Sequence, residues 1–246
     1  MGMASVMDCI LLHGWGVTNK VWQGFATKLN GFDNILTPCL YDISKKSKGQ
    51  GFRPVAKALS KIIKQDSVVV AWSIGGLIAL RLMPLTTKIK AIIFIASPPC
   101  FINKKEWPNV IQKNKLDELK NRFSENTKGA LNHFSGLVAA GDAFSSKINK
   151  HIRQSLAKET QKEILSCWLR EIEVDDQRNQ FMKMEIPSNI ILGQNDALIK
   201  PRIKNQMEAL NINTHCVIIE NCGHAPFISK PAETNNIVHQ FLNESM

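Results

Sequence analysis

The sequence predicts an α/β protein, a mostly parallel sheet covered by helices on both faces. Three observations carry that prediction. Short apolar runs, most of them rich in Ile and Val and bounded by polar or turn residues, recur at 8–12, 34–37, 67–71, 91–96, 189–192 and 216–219. Helix-like segments separate them at about 19–30, 52–64, 75–83, 201–210 and 231–243. With 246 residues and 44% hydrophobic content, the chain is long and apolar enough to bury a sizeable core.

The alternation breaks once, between Pro98-Pro99 and Pro187. There the chain turns polar and amphipathic, with Leu116, Leu119 and Phe123, then Ile164, Trp168 and Ile172, at helical spacing. The expected organisation is a core in two parts, 1–98 and 187–246, interrupted by a helical cap or lid over 99–186. The segment 44–51, "SKKSKGQG", reads as a short basic loop. There are no internal repeats.

Composition narrows the function classes. The six cysteines form no C-x-x-C pair and no metal-finger spacing, so reduced thiols in a cytoplasmic protein are expected. The opening residues lack a basic n-region and a long apolar run, which argues against a signal or membrane segment; Val6 breaks the myristoylation pattern. The formal charge of +10 suggests an acidic partner, and residues 101–170 contribute 13 basic against 7 acidic side chains, or +6 of it. With no zinc-finger spacing, RNP-like motif or long basic run interleaved with aromatics, nucleic acid is not the expected partner.

Chemistry enters at "VVVAWSIGG", 68–76. The S-x-G pattern occurs twice, at Ser47-Lys48-Gly49 and Ser73-Ile74-Gly75, and only the second lies between a strand and a helix. A serine there is either a helix cap or a nucleophile on a strand-to-helix elbow. The elbow pattern G-x-S-x-G is met except at Ala71, which is small enough to keep the turn.

A nucleophilic serine needs a base, and the base needs an orienting acid. His224 follows the run 216–219 and so falls on the carboxyl edge of a parallel sheet, the edge that also carries Ser73. Asp196 follows the run 189–192 in the same way, although Asn195-Asp196 is also a common turn pair. Asp117, Asp142, Asp175 and Asp176 lie in the insertion, where nothing places them on that edge. Taken together, Ser73, Asp196 and His224 stand in the chain order of a hydrolase triad. The oxyanion donors expected beside them are the backbone N–H of Ile74 and one from the loop "HGWG", where Trp15 also offers an apolar wall and His13 braces the loop.

"LLHGWG", "WSIGGL", "SPPCF…EWP" and "CGHAPFISKPAE" together resemble the pimeloyl-acyl-carrier-protein methyl ester esterases of biotin synthesis, which have the α/β-hydrolase fold. The resemblance implies a serine carboxylesterase that frees methanol from the methyl ester of a carrier-borne pimeloyl chain, with no metal or cofactor. It implies Ser73, Asp196 and His224 as the triad and Trp15 and Ile74 as oxyanion and substrate contacts. It further implies Phe134, Ser135, Gly136, Leu137 and Val138 as the substrate-contacting cap segment. Basic cap residues, here Lys147, Lys150 and Arg153, would meet the acidic acyl carrier protein. A monomer is expected. The alternatives are a carboxylesterase for short free acyl esters and a non-catalytic binding protein on the same fold. The chain also starts close to the HGWG strand, without the hairpin common in that family, so a smaller sheet or an exposed edge is expected.

Overall fold

The computed structural model describes residues 7–47 and 49–245; residues 1–6, on which the signal-segment reading rests, lie outside it, as does Lys48. Six strands form one sheet in the order β2-β1-β3-β4-β5-β6. They are β1 (Asp8–Leu12), β2 (Asn34–Leu36), β3 (Ser67–Trp72), β4 (Ile89–Ile95), β5 (Ser188–Gly193) and β6 (Thr214–Ile219). Every pairing is parallel. Strands β1, β3 and β5 are buried along their length, which is why they read as apolar runs instead of alternating ones. The three-residue β2 forms one edge, with Leu36 exposed.

The helices of the first half are α1 (Leu40–Lys46), α2 (Phe52–Ser60) and α3 (Gly75–Leu82). Between β4 and β5 come α4 (Lys113–Glu125), α5 (Thr127–Ala139), α6 (Ser145–Gln154), α7 (Lys162–Val174) and α8 (Arg178–Met182). The chain then continues through α9 (Ile203–Leu210), α10 (Pro226–Ser229) and α11 (Pro231–Ser245).

Two expectations fail. The helix expected at 19–30 is instead a pair of 3₁₀ turns, Asn19–Trp22 and Ala26–Lys28. Gly24, at φ +88°, breaks the right-handed path between them. The basic loop expected at 44–51 is partly helical, because α1 runs to Lys46 and buries Leu40, Tyr41 and Ser44 while Lys45 and Lys46 face solvent. All six cysteines are free thiols, and burial pushes Cys216 and Cys222 up to about 12.

Strand order reverses direction between β1 and β3, so the loops leaving their carboxyl ends diverge and open a crevice. That crevice receives "HGWG" from β1 and the Ser73 turn from β3.

Candidate active site

The turn after β3 is strained. Ser73 has φ 54°, a left-handed conformation that non-glycine residues seldom adopt. Three hydrogen bonds hold it: Ser73 N–H donates to the Ile95 carbonyl at 3.0 Å, and the Ser73 carbonyl accepts from Gly76 N–H at 3.1 Å and Ser97 Oγ at 2.5 Å. The neighbouring glycines are required by close approach. A Cβ on Gly75 would lie 2.5 Å from the Leu12 carbonyl oxygen, and one on Gly76 would lie 2.0 Å from Ser97 Oγ. Ala71, by contrast, is an ordinary buried strand residue paired with Leu12 and Phe94, so this position does not need glycine. Nor does Ser73 cap α3: the residue at the cap position is Ile74, and no side chain caps that end.

Ile74 N–H and Trp15 N–H donate to no other group among the described residues, so both are free to receive a developing negative charge. The Trp15 indole is committed elsewhere. Its Nε1–H donates to the Leu165 carbonyl of α7 at 2.9 Å, and its ring meets Phe123 and Phe134 edge-on at 5.6 and 5.0 Å. His13 braces the loop, with Nε2 accepting from Leu40 N–H and Nδ1 bonding the Gly14 carbonyl, each at 2.9 Å. Burial holds its imidazole down at about 4, so it is neutral. Tyr41 adds a second brace, its hydroxyl accepting from Gly16 N–H at 2.8 Å.

His224 and Asp196 are fully buried and bonded through Nδ1 and Oδ2 at 2.7 Å. The other carboxylate oxygen, Oδ1, accepts from the N–H groups of Leu198 and Ile199 at 2.8 and 3.0 Å, which fixes its orientation. An acceptor at Nδ1 puts the ring proton there and leaves a lone pair on Nε2. Nε2 is buried and has no hydrogen-bond partner among the described residues, and Trp72 Nε1–H donates to the His224 carbonyl at 2.8 Å.

Ser73 and His224 open onto one cavity of about 630 Å³. Its walls are apolar, from Phe101, Val110, Leu116, Leu119, Phe134, Leu137, Leu169 and Ile172, all but the last two contributed by α4, α5 and the segment leading into them. Lys115, Glu118, Arg122, His133 and Lys200 are its exposed charged or titratable lining residues. Of the segment 134–138, Phe134 and Leu137 line the cavity. Ser135 does not, since its hydroxyl donates within α5 and to Asn149 of α6; Gly136 is exposed, and Val138 packs into the core. Lys147, Lys150 and Arg153 sit exposed on α6, opposite its buried Ile148 and Ile152, in no ion pair among the described residues and outside the cavity lining.

One residue set aside in the sequence is drawn into the site. Asp142, between α5 and α6, reaches the carboxyl edge of the sheet and accepts from Gly223 N–H at 2.8 Å, one residue before His224. Nothing in the sequence singles out Ser97, whose hydroxyl donates to the Ser73 carbonyl. The pairs span 81 and 24 residues, and neither sits in a recognisable local pattern.

A parallel sheet whose strand ends carry a strained serine, a buried imidazole–carboxylate pair and free backbone donors defines a class of hydrolases. The family model for the alpha/beta hydrolase family matches residues 9–237, and the chain belongs to that family. More particularly, it is 28% identical to the pimeloyl-[acyl-carrier protein] methyl ester esterase of Wigglesworthia glossinidia brevipalpis, over 99% of this chain and 96% of the relative. It is 28% identical to the enzyme of the same name from Pseudoalteromonas atlantica, over 89% of this chain and 88% of that one. Among solved structures, a bromoperoxidase from Bacillus anthracis superposes with a TM-score of 0.81 at 20% identity, covering 97% of this chain and 92% of its own, a likeness of fold.

Proposed function

We propose that this protein is a serine carboxylesterase that hydrolyses the methyl ester of a pimeloyl chain carried on acyl carrier protein, as its relatives are named to do. The observation that carries the reading is the His224 Nε2 lone pair, unpartnered and buried, in one apolar cavity with Ser73. In this reading His224 takes the Ser73 proton as Ser73 Oγ attacks the ester carbonyl, and Asp196 stabilises the imidazolium. The N–H groups of Trp15 and Ile74 hold the oxyanion. Methanol leaves with the proton from His224, and water then cleaves the acyl-enzyme by the same route.

Residues 99–186 act as the cap. Phe134 and Leu137 accept the methylene chain, since apolar walls suit the hydrocarbon of an uncharged ester. Lys147, Lys150 and Arg153 offer the acidic carrier an unpaired cationic face.

The test offers pimeloyl-acyl-carrier-protein methyl ester and free pimelate methyl ester side by side, following methanol release. The carrier-borne ester is expected to have the higher kcat/KM, falling as salt rises from 0.05 to 0.5 M by roughly tenfold or more, as a charge-steered encounter does. Equal turnover of both, insensitive to salt, leaves a general short-acyl esterase.

A further inference from the structure

Three loops meet behind His224, and one of them belongs to the cap. The turn joining α5 to α6 packs Gly141 against the loop that bears Asp196 and Asp142 against the loop that bears His224. Gly141 has φ +79°, and a Cβ there would lie 2.3 Å from the Asn195 carbonyl oxygen, so the turn is seated against the acid loop. Ala143 N–H donates to the Asn221 carbonyl at 3.3 Å. Asp142 itself is buried and accepts three hydrogen bonds: Oδ2 from Gly223 N–H at 2.8 Å, and Oδ1 from Phe144 N–H at 2.7 Å and Ser229 Oγ at 2.9 Å. It forms no ion pair among the described residues, so three neutral donors stabilise the carboxylate in place of a cation.

Resting on the serine-esterase reading above, we propose that Asp142 is a positioning residue, which through the Gly223 amide holds the His224 loop so that His224 and Ser73 share one cavity. The two loops it braces are themselves in close contact. Asn195 N–H donates to the Cys222 carbonyl at 2.9 Å, and a Cβ on Gly193 would lie 2.0 Å from the Gly223 carbonyl oxygen. A shift of Gly223 therefore moves the base relative to both the acid and the nucleophile. The link also gives the cap a direct hold on the catalytic base. Substrate packing under α5, at Phe134 and Leu137, loads the helix that leads directly into the turn carrying Asp142.

Asparagine is the informative replacement. An aspartate accepts on both oxygens, whereas the amide of Asp142→Asn presents a donor on one side. With its oxygen turned to Phe144 N–H and Ser229, its NH₂ opposes Gly223 N–H and pushes the histidine loop away. A displacement on the order of 1 Å at such a site costs roughly 10²-fold in rate.

The experiment compares the full chain and D142N on p-nitrophenyl butyrate, with a fluorophosphonate to count and time labelling of Ser73. The expected result is a kcat lowered about 30- to 100-fold, a KM within about threefold, and a labelling rate slowed by the same factor as kcat. Labelling should still reach one equivalent in a protein that melts cooperatively. If D142N does not fold, Ser229→Ala, which removes one donor from Oδ1, is expected to lower kcat about three- to tenfold at constant KM. A kcat per labelled serine equal to the parent's, or a loss confined to KM, overturns the proposal and leaves Asp142 a staple of the cap. A parent chain that neither hydrolyses the ester nor takes up the phosphonate overturns the esterase reading itself.

Discussion

Strand β3 and helix α4 are built on opposite principles. All six residues of β3 are buried, whereas of the thirteen in α4 only Leu116 and Phe123 are. The strand is held by its apolar surface on both faces and by hydrogen bonds to β1 and β4. The helix is held at a few points: Phe123 against Trp15, and ion pairs from Lys113 and Lys120 to Glu173 of α7. A frame of the first kind fixes the positions of catalytic groups, because dense packing leaves a strand end nowhere to go. A cover of the second kind tolerates sequence change while keeping its shape, since exposed ion pairs contribute little each. The chemistry is thus expected to live on the frame and the choice of substrate on the cover, with Asp142 the contact that reaches the His224 loop.

The largest effect that tests this division is loss of the nucleophile. Ser73→Ala is expected to lower kcat by about 10⁴-fold or more while leaving the melting temperature nearly unchanged, since alanine keeps the same Cβ at φ 54° and the Ser73 hydroxyl holds no hydrogen bond among the described residues. Steady-state kinetics and calorimetry on the same preparation check both halves. Comparable activity in the variant would remove Ser73 from the mechanism and with it the claim that the frame carries the chemistry.

The same division explains what could be read from the sequence. Frame strands were legible because Val68, Val69 and Val70, or Ile92 and Ile93, leave few alternatives to a doubly buried strand. The strands β5 and β6 extend a residue or two beyond their apolar runs, since pairing continues through polar positions such as Ser188 and Thr214. The common placement of Ser73, Asp196 and His224 was legible because in a parallel sheet the residues just past each strand lie on one edge, whatever their neighbours. Residues whose role depends on the packing of the cover were not. Asp142 resembles any other turn aspartate until α5 is docked, and Ser135 and Gly136 shared a motif with Phe134 yet turn away from the cavity. The lost helix at 19–30 failed for another reason: Val21, Trp22 and Phe25 are buried at helical spacing, but Gly24 takes the chain left-handed between them.

A second test asks whether the frame has a weak point of its own. His13 is a buried, neutral imidazole whose burial lowers it from 6.5 to about 4. The unfolded chain takes up a proton at this residue below about pH 6.5, and the folded chain does not until about pH 4. Stability from this group is therefore complete above pH 6.5, falls as pH drops toward 4, and levels off below. At about 1.4 kcal/mol per pH unit, the loss is roughly 3 kcal/mol. Urea denaturation between pH 7 and 4 should show that slope, and a His13→Asn variant should lack it. An unchanged slope in the variant would assign the acid sensitivity to the carboxylate pairs of the cover instead.

The smallest effect tests the neck where the cover leaves the frame. Arg81 of α3 grips Asp175 at the end of α7 with two hydrogen bonds, from Nη2 at 2.8 Å and Nε at 3.0 Å, beside Gln177, whose N–H donates to the Pro99 carbonyl. The Asp175 side chain is 2% exposed and that of Arg81 28%, so removing the arginine strands a buried carboxylate, although water can reach the gap. Breaking a fully buried pair costs about 3–5 kcal/mol, and partial exposure of Arg81 reduces the expected loss for Arg81→Ala to about 2 kcal/mol. What distinguishes the two regions is where that loss is felt. Hydrogen exchange should quicken in α7 and α8 before it does in β3 and β4, because the frame keeps its own burial when the neck loosens. Uniform quickening across strands and helices would mean that cover and frame unfold as one unit, and the division of labour between them would then be chemical and not mechanical.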